Sequence, residues 1–198
     1  MARLHNRLTK LFYPILFASS KERTRLIERV SKGLATFLRR NGSHVSHEVL
    51  TYAFANILNI LLVTTSSIAI GFISGRPIDT IVSLVAFAVI RHFSGGLHAK
   101  TMDQCFIVST MIIVVPAHIV LPSSAIIAIT VTCLMIFILF APNITEDLND
   151  AKDNKIRNKV ISVVLVGINL YVQSSTLTLV YLAQALLIIP YSYSRKGG

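Results

Sequence analysis

From Glu48 onward, apolar residues run along the chain in six blocks, at about 49–73, 77–93, 103–121, 124–141, 159–173 and 176–193. A helix rises 1.5 Å per residue, so about 20 apolar residues cross the hydrocarbon layer of a bilayer. The blocks therefore predict six transmembrane helices, the second and fifth being short. Gly75-Arg76-Pro77, Ser123-Ser124 and Ser174-Ser175 read as tight turns between them, and 142–158 (PNITEDLNDAKDNKIRN) as a polar loop. The stretch before Glu48 differs in kind. Leu26, Ile27, Val30, Leu34, Phe37 and Leu38 recur at helical spacing, with Arg23, Arg25, Arg29, Lys32 and Arg39 largely on the other side. This pattern predicts an amphipathic helix, either lying in the interface with its basic face toward anionic headgroups or packing on the bundle. The expected fold is an all-α integral membrane protein with one domain, 1–198. It comprises an amphipathic segment at 1–47 and a bundle of six transmembrane helices at 48–198.

Composition agrees with lipid as the solvent. Only 14% of residues are charged and 53% are hydrophobic, with a mean hydropathy of +0.66; soluble domains carry about 25% charged residues. The formal net charge of +10 would point to nucleic acid in a soluble protein. Here the basic residues flank the apolar blocks, and no basic, aromatic-interleaved domain remains once the blocks are removed, so no nucleic-acid partner is expected. Ten Lys and Arg precede residue 48, two lie in 91–100, four in 152–159 and two at the C-terminus, against Arg76 alone on the other side of six spans. The positive-inside rule then predicts that both termini and the 91–102 and 142–158 loops are cytoplasmic. The opening MARLHNRLTKLFYPILFASS has the basic head and apolar run of a signal peptide. Pro14 within that run and the basic stretch Lys21–Arg40 after it argue against cleavage.

The chemistry gathers in RHFSGGLHAKTMDQC, residues 91–105. Gly95-Gly96 frees the backbone for positive φ or close approach. TMDQ then reads as a capping box, with Thr101 at the N-cap and Gln104 three residues on, and Asp103 suits the first turn. Cys105 would be the fourth helical residue. A helix N-terminus and a nearby imidazolium both favour the nucleophilic thiolate. In one straight helix, His98 and Cys105 would stand about 10 Å apart, too far for proton transfer at ~3 Å. A break after His98 would let the imidazole fold back over the first turn, making a His98–Cys105 dyad workable. By spacing alone, the commoner case is that such a Cys105 is a small apolar residue and such a His98 a solvated one.

The remaining polar residues carry weaker signals. The two cysteines, Cys105 and Cys133, make no disulfide framework and no zinc ligand set. Cys133, inside ITVTCLMIFILF, reads as structural. His44 and His47 with Glu48 are a conceivable metal site with a short signal, and no metal is assigned. His118, between Pro116 and Pro122, is an intramembrane candidate that can also reach interfacial water. His92 is expected to cap the second span. The acidic residues Glu146, Asp147, Asp150 and Asp153, followed by Lys155, Arg157 and Lys159, read as a solvated loop with a topogenic basic end.

RHFSGGLHAKTMDQC resembles the signature of the AgrB family, the membrane peptidases of accessory gene regulator quorum-sensing systems. The resemblance maps onto Arg91, Phe93, Ser94, Gly95, Gly96, His98, Ala99 and Cys105. A second patch, FAPNITEDL, is similar to the Phe-Ala-Pro stretch opening the family's main cytoplasmic loop, with Phe140, Ala141, Pro142, Thr145, Glu146 and Leu148 in register. Chain length, six-block hydropathy and the basic N-terminal segment extend the resemblance over essentially the whole chain. Ile144 stands where relatives usually carry Asp, and Asn149 near where they carry Pro. Both departures bear on the peptide substrate rather than on the His–Cys chemistry.

The resemblance implies a cysteine endopeptidase of the bacterial cell membrane, without a cofactor, that cleaves an AgrD-like precursor peptide on the cytoplasmic side. Cys105 would attack the scissile carbonyl to give a thioester acyl-enzyme, with His98 as general base. A cysteine or serine of the precursor would then displace the enzyme thiol and close a thiolactone or lactone ring. Arg91 would hold an acidic stretch of the precursor or of the loop. Ser94, Gly95 and Gly96 would be substrate-binding or oxyanion candidates, and Asp103 or Gln104 would orient His98. Implied partners are the precursor, anionic lipid headgroups and a second copy of the chain. The competing readings are a non-enzymatic transporter or interaction subunit, which gives Cys105 no task, and a hydrolase with metal at His44 and His47, which predicts chelator sensitivity.

Overall fold

A computed structural model describes residues 26–42, 44–96, 101–142 and 151–189. Among them are seven α-helices and no strand: α1 (Leu26–Arg40), α2 (His47–Ile73), α3 (Pro77–Ser94), α4 (Met102–Val114), α5 (Ser123–Phe140), α6 (Ala151–Val172) and α7 (Ser175–Ile188). A 3-10 turn, Val115–His118, continues α4.

Six of these helices fall on the six apolar blocks, and the differences at their ends have local causes. Pro77 opens α3 at its first position, where its fixed φ fits and its missing N–H costs nothing. Gly75, at φ 71°, turns the chain ahead of it. The third block was expected to be helical over 103–121, but α-helix stops at Val114. Pro116 cannot donate the i−4 bond, and the chain tightens to 3-10. Ser123-Ser124 begins α5 rather than forming a turn. The polar loop expected to last through residue 158 is already helical from Ala151, because AKDNKIRN is polar without being helix-breaking. At the other end, α7 stops at Ile188, short of the expected 193. Pro190 disfavours helical backbone at the residue before it, and Ile189 takes φ −58°, ψ 121°.

The described residues form two compact units. One is built from residues 67–97 and 111–198. Within it, α7 packs against α3, α5, α6 and the 3-10 turn, and α5 also packs on α6. This unit buries polar side chains alongside apolar ones such as Ile90, Phe137 and Val180, and presents many large apolar ones outward. Thr80, Ser83, Thr130, Asn169, Thr178 and Gln184 are buried, whereas Tyr171 is 93%, Ile73 86% and Val120 77% exposed. A water-soluble domain sorts its residues the other way. Small and hydroxyl-bearing residues at helix contacts, with large aliphatics outside, are what packing in lipid requires. Three helices, α2, α3 and α5, are long and apolar enough to cross a membrane, while Met102–His118 and Ser175–Ile188 are shorter apolar helices. Helix approach is close where a Cβ on Gly71 would stand 2.7 Å from Thr80 Oγ1.

The other unit is drawn from residues 1–66 and 98–110. Here α1 presents two different apolar stripes. Ile27, Ser31 and Ala35, four residues apart, are buried, while Val30, Leu34, Phe37 and Leu38 stay exposed. The Ile27 N–H, free of an intrahelical partner in the first turn, donates to Asp103 Oδ1 at 3.3 Å. At the other end, Thr36 Oγ1 meets His47 Nε2 at 3.2 Å. A shallow groove of about 330 Å³ is lined by Glu28 and Lys32 of α1, by His47, Thr51 and Tyr52 of α2, and by Met102.

Candidate active site

Cys105 stands where the capping pattern predicts. Helix α4 begins at Met102, Thr101 Oγ1 accepts from the Gln104 N–H at 3.3 Å, and the Cys105 N–H donates to Thr101 O at 3.1 Å. Cys105 is thus the fourth residue of a capped helix, in the turn where the helix dipole favours an anion. Only half of the capping box forms, since Gln104 Oε1 is buried with no hydrogen-bond partner. The thiol is free and half-buried. Asn59 Nδ2 donates toward its Sγ at 3.7 Å, and Ser109 Oγ lies 3.9 Å from it on the next turn of α4. Asn59 and Ser109 are themselves buried.

A second cluster, in the other unit, holds the Ser94-Gly95-Gly96 turn. Helix α3 ends at Ser94, and the Gly95 N–H donates back to Arg91 O at 3.0 Å. Gly95 has φ 68° and Gly96 φ 129°, conformations that side-chain-bearing residues avoid. A Cβ on Gly96 would press on Leu187 O at 3.3 Å and Gln184 Nε2 at 3.4 Å. Fully buried Gln184 clamps the turn, its Nε2 donating to Ser94 Oγ at 2.9 Å and to Gly95 O at 2.7 Å. Gln184 Oε1, like Asn59 Oδ1, is buried without a hydrogen-bond partner. The Arg91 guanidinium lies 5.7 Å from the centre of the Phe87 ring.

The structure sorts the other sequence candidates. His98 lies outside the described residues, as do Ala99, Ile144, Thr145, Glu146, Leu148, Asn149 and the segment through Arg25. Asp103, considered as an orienting group for His98, holds the start of α1 through one of its carboxylate oxygens. His92 stacks edge-on to Phe93 in the last turn of α3, with ring centres 5.0 Å apart. His118 is exposed and shares a 2.9 Å hydrogen bond with Val114 O. His47 pairs with Thr36 and Thr51, and the described residues contain no group of three His, Cys, Asp or Glu placed to hold a metal. Cys133 is fully buried in α5. Asn59 and Gln184 were not singled out by the sequence. Their signal was a strongly polar amide inside an apolar helix, beside a second one, Asn56, in the case of Asn59.

A comparison with known families decides the assignment. Residues 31–193 match the family model described as Accessory gene regulator B. The chain belongs to the accessory gene regulator B family. No curated protein and no solved structure matches it. Accessory gene regulator B proteins form a cysteine-protease-like processing family. In this member the matched range takes in Cys105, the Ser94-Gly95-Gly96 turn and Gln184. The family and the apolar helices together mark it as a membrane protein.

Proposed function

We propose that this accessory gene regulator B chain is a membrane-embedded cysteine endopeptidase that cleaves a quorum-sensing precursor peptide of the AgrD type and promotes its ring closure. The observation that carries this reading is the setting of Cys105. It combines the first turn of a Thr101-capped helix with an amide donor on the sulfur, in a family that processes peptides. His98, seven residues before Cys105, takes the thiol proton as general base and returns it to the leaving amine. The resulting thioester is then attacked by a thiol or hydroxyl of the precursor, releasing Cys105 and closing a thiolactone or lactone. Thioester exchange roughly conserves bond energy, so the protein's task is to hold the internal nucleophile close and keep water out. Ser94, Gly95 and Gly96 give the peptide backbone room to approach, and Arg91 takes an acidic segment of the precursor.

The proposed topology has six spans, with both termini, the 91–102 loop and the 142–158 loop in the cytoplasm. It is supported by the eighteen-to-one split of basic residues. Helix α7, with 14 residues, reaches about 21 Å and needs its flanks or local thinning to complete a crossing. Helix α1 lies in the interface of an anionic leaflet: its exposed Val30, Leu34 and Phe37 enter the acyl boundary, while Arg29, Lys32 and Arg39 stay with the headgroups. A second copy of the chain completes the assembly.

Co-expression with a precursor peptide tests the reading. Cleaved and cyclised product should form with the native chain and vanish with Cys105→Ala and with His98→Ala, at unchanged amounts of membrane-inserted protein. Product formation in either variant contradicts the dyad.

A further inference from the structure

We propose that Asn59 is a third catalytic group: its side-chain amide stabilises the negative charge that appears first on Cys105 Sγ and then on the carbonyl oxygen of the bound peptide. This inference rests on the endopeptidase reading above and extends it. Four observations carry it. Asn59 Nδ2 lies 3.7 Å from Sγ and donates toward it. Asn59 is buried, at 8% exposure, in the apolar helix α2, where an amide is costly unless it has a task. Its Oδ1 has no hydrogen-bond partner and no exposure, so the side chain is not kept there by a complete polar network. Finally, Cys105 is the fourth residue of α4, so its own N–H is committed to Thr101 O, and Gln104's to the cap. The backbone amides nearest the sulfur are therefore spent, and a side chain is the remaining donor type at the thiol.

The reaction gives that donor two uses. With the Cys105 proton on His98, the amide N–H stabilises the thiolate. When Sγ attacks, the C–S bond forms and the carbonyl π pair moves to oxygen. That oxygen sits one bond angle from the sulfur, where a donor 3.7 Å from Sγ can stand about 3 Å from it. Collapse returns the pair to C=O and breaks the C–N bond, and the amine departs with the proton from His98. Ring closure repeats the sequence with the precursor's own nucleophile attacking and the Cys105 thiolate leaving, so one donor serves both halves. Ser109 Oγ, 3.9 Å from Sγ on α4 itself, offers the resting thiol a further hydroxyl contact.

The test uses the full chain in proteoliposomes with a synthetic precursor peptide, in a Cys133→Ala background so that Cys105 is the one thiol. Asn59→Ala should lower kcat about 100-fold with little change in KM, as expected for loss of one oxyanion donor. Asn59→Asp keeps the size but replaces the donor with a carboxylate, and should lose at least as much. The pH profile of iodoacetamide labelling of Cys105, which needs no substrate, should move to higher pH in Asn59→Ala because the thiolate has lost a donor. Native kcat or an unmoved labelling profile in these variants overturns the inference. If neither variant accumulates, Asn59→Leu, similar in size and without a donor, is measured instead, and native kcat and labelling there overturn it equally. Cys105→Ala is run alongside. Activity in that variant defeats the endopeptidase reading, whereas a Cys105-dependent reaction indifferent to Asn59 defeats this inference alone.

Discussion

Asn169 and Asn59 are both buried amides in helices with apolar outer faces, yet their surroundings differ. Asn169 Nδ2 donates to Thr130 Oγ1 at 3.2 Å, to Thr178 Oγ1 at 2.8 Å and to Ser174 O at 3.4 Å, while its Oδ1 accepts from the Ser174 N–H at 3.1 Å. These bonds tie α5, α6 and α7 together around the turn at Gln173, which has φ 53°. Asn59 has a sulfur for its one hydrogen-bond partner type and an unpartnered oxygen. Gln184 falls between them, its nitrogen fully used on the Ser94–Gly95 turn and its oxygen unpartnered. In lipid, a fully satisfied polar knot holds helices together, whereas an incompletely satisfied amide contributes less to packing and is left open to a further partner. Under the proposal above, the contrast is between an amide spent on holding helices together and one whose donor faces the Cys105 thiol.

Variants can break that contrast. The largest effect among the clamp residues is expected for Gln184→Leu. It removes both bonds to the Ser94–Gly95 turn and leaves helix packing apolar, so turnover should fall ten- to about a hundredfold, as for a small misplacement of a binding element. A turnover assay on purified protein checks this; native turnover would make Gln184 a packing residue like Asn169. Asn169→Ala should do the reverse. Four hydrogen bonds at ~0.6 kcal/mol each in a membrane setting give a loss of about 2 kcal/mol. That loss should be visible in denaturant titration, while turnover per folded molecule stays native. Cys133→Ala should do least, because that thiol is fully buried and the change removes only one sulfur atom. About 1 kcal/mol of packing is lost and activity is retained, which a thermal scan beside a turnover assay would register.

The same contrast shows what the chain reveals before folding. Helix positions were legible because block length and turn residues are local, and so was the first turn of α4, since Thr101 and Gln104 stand three apart. The Gly95-Gly96 pair announced the positive φ values it adopts. Helix ends were misjudged where hydropathy hid a proline: Pro116 turned the end of α4 to 3-10, and Pro190 stopped α7. Asn59 and Gln184 escaped notice for a different reason. Hydrophobic periodicity averages one or two amides into their apolar neighbours, and the partners lie 46 residues away for Asn59 and 90 for Gln184. What such a residue touches is decided by tertiary packing. An Asn or Gln in an apolar block is therefore a position to mark even when its partner cannot be named.

The central claim is that Cys105 forms the covalent intermediate, and intact-protein mass spectrometry addresses it most directly. The full chain in lipid nanodiscs is mixed with a precursor peptide whose ring-closing residue is replaced by alanine, so the second half of the reaction cannot proceed, and is quenched in acid. A mass increment equal to the N-terminal peptide fragment, released by hydroxylamine and mapped to Cys105, is the predicted result. An increment mapped to any other residue, or cleavage with no Cys105 adduct at any quench time, would contradict it.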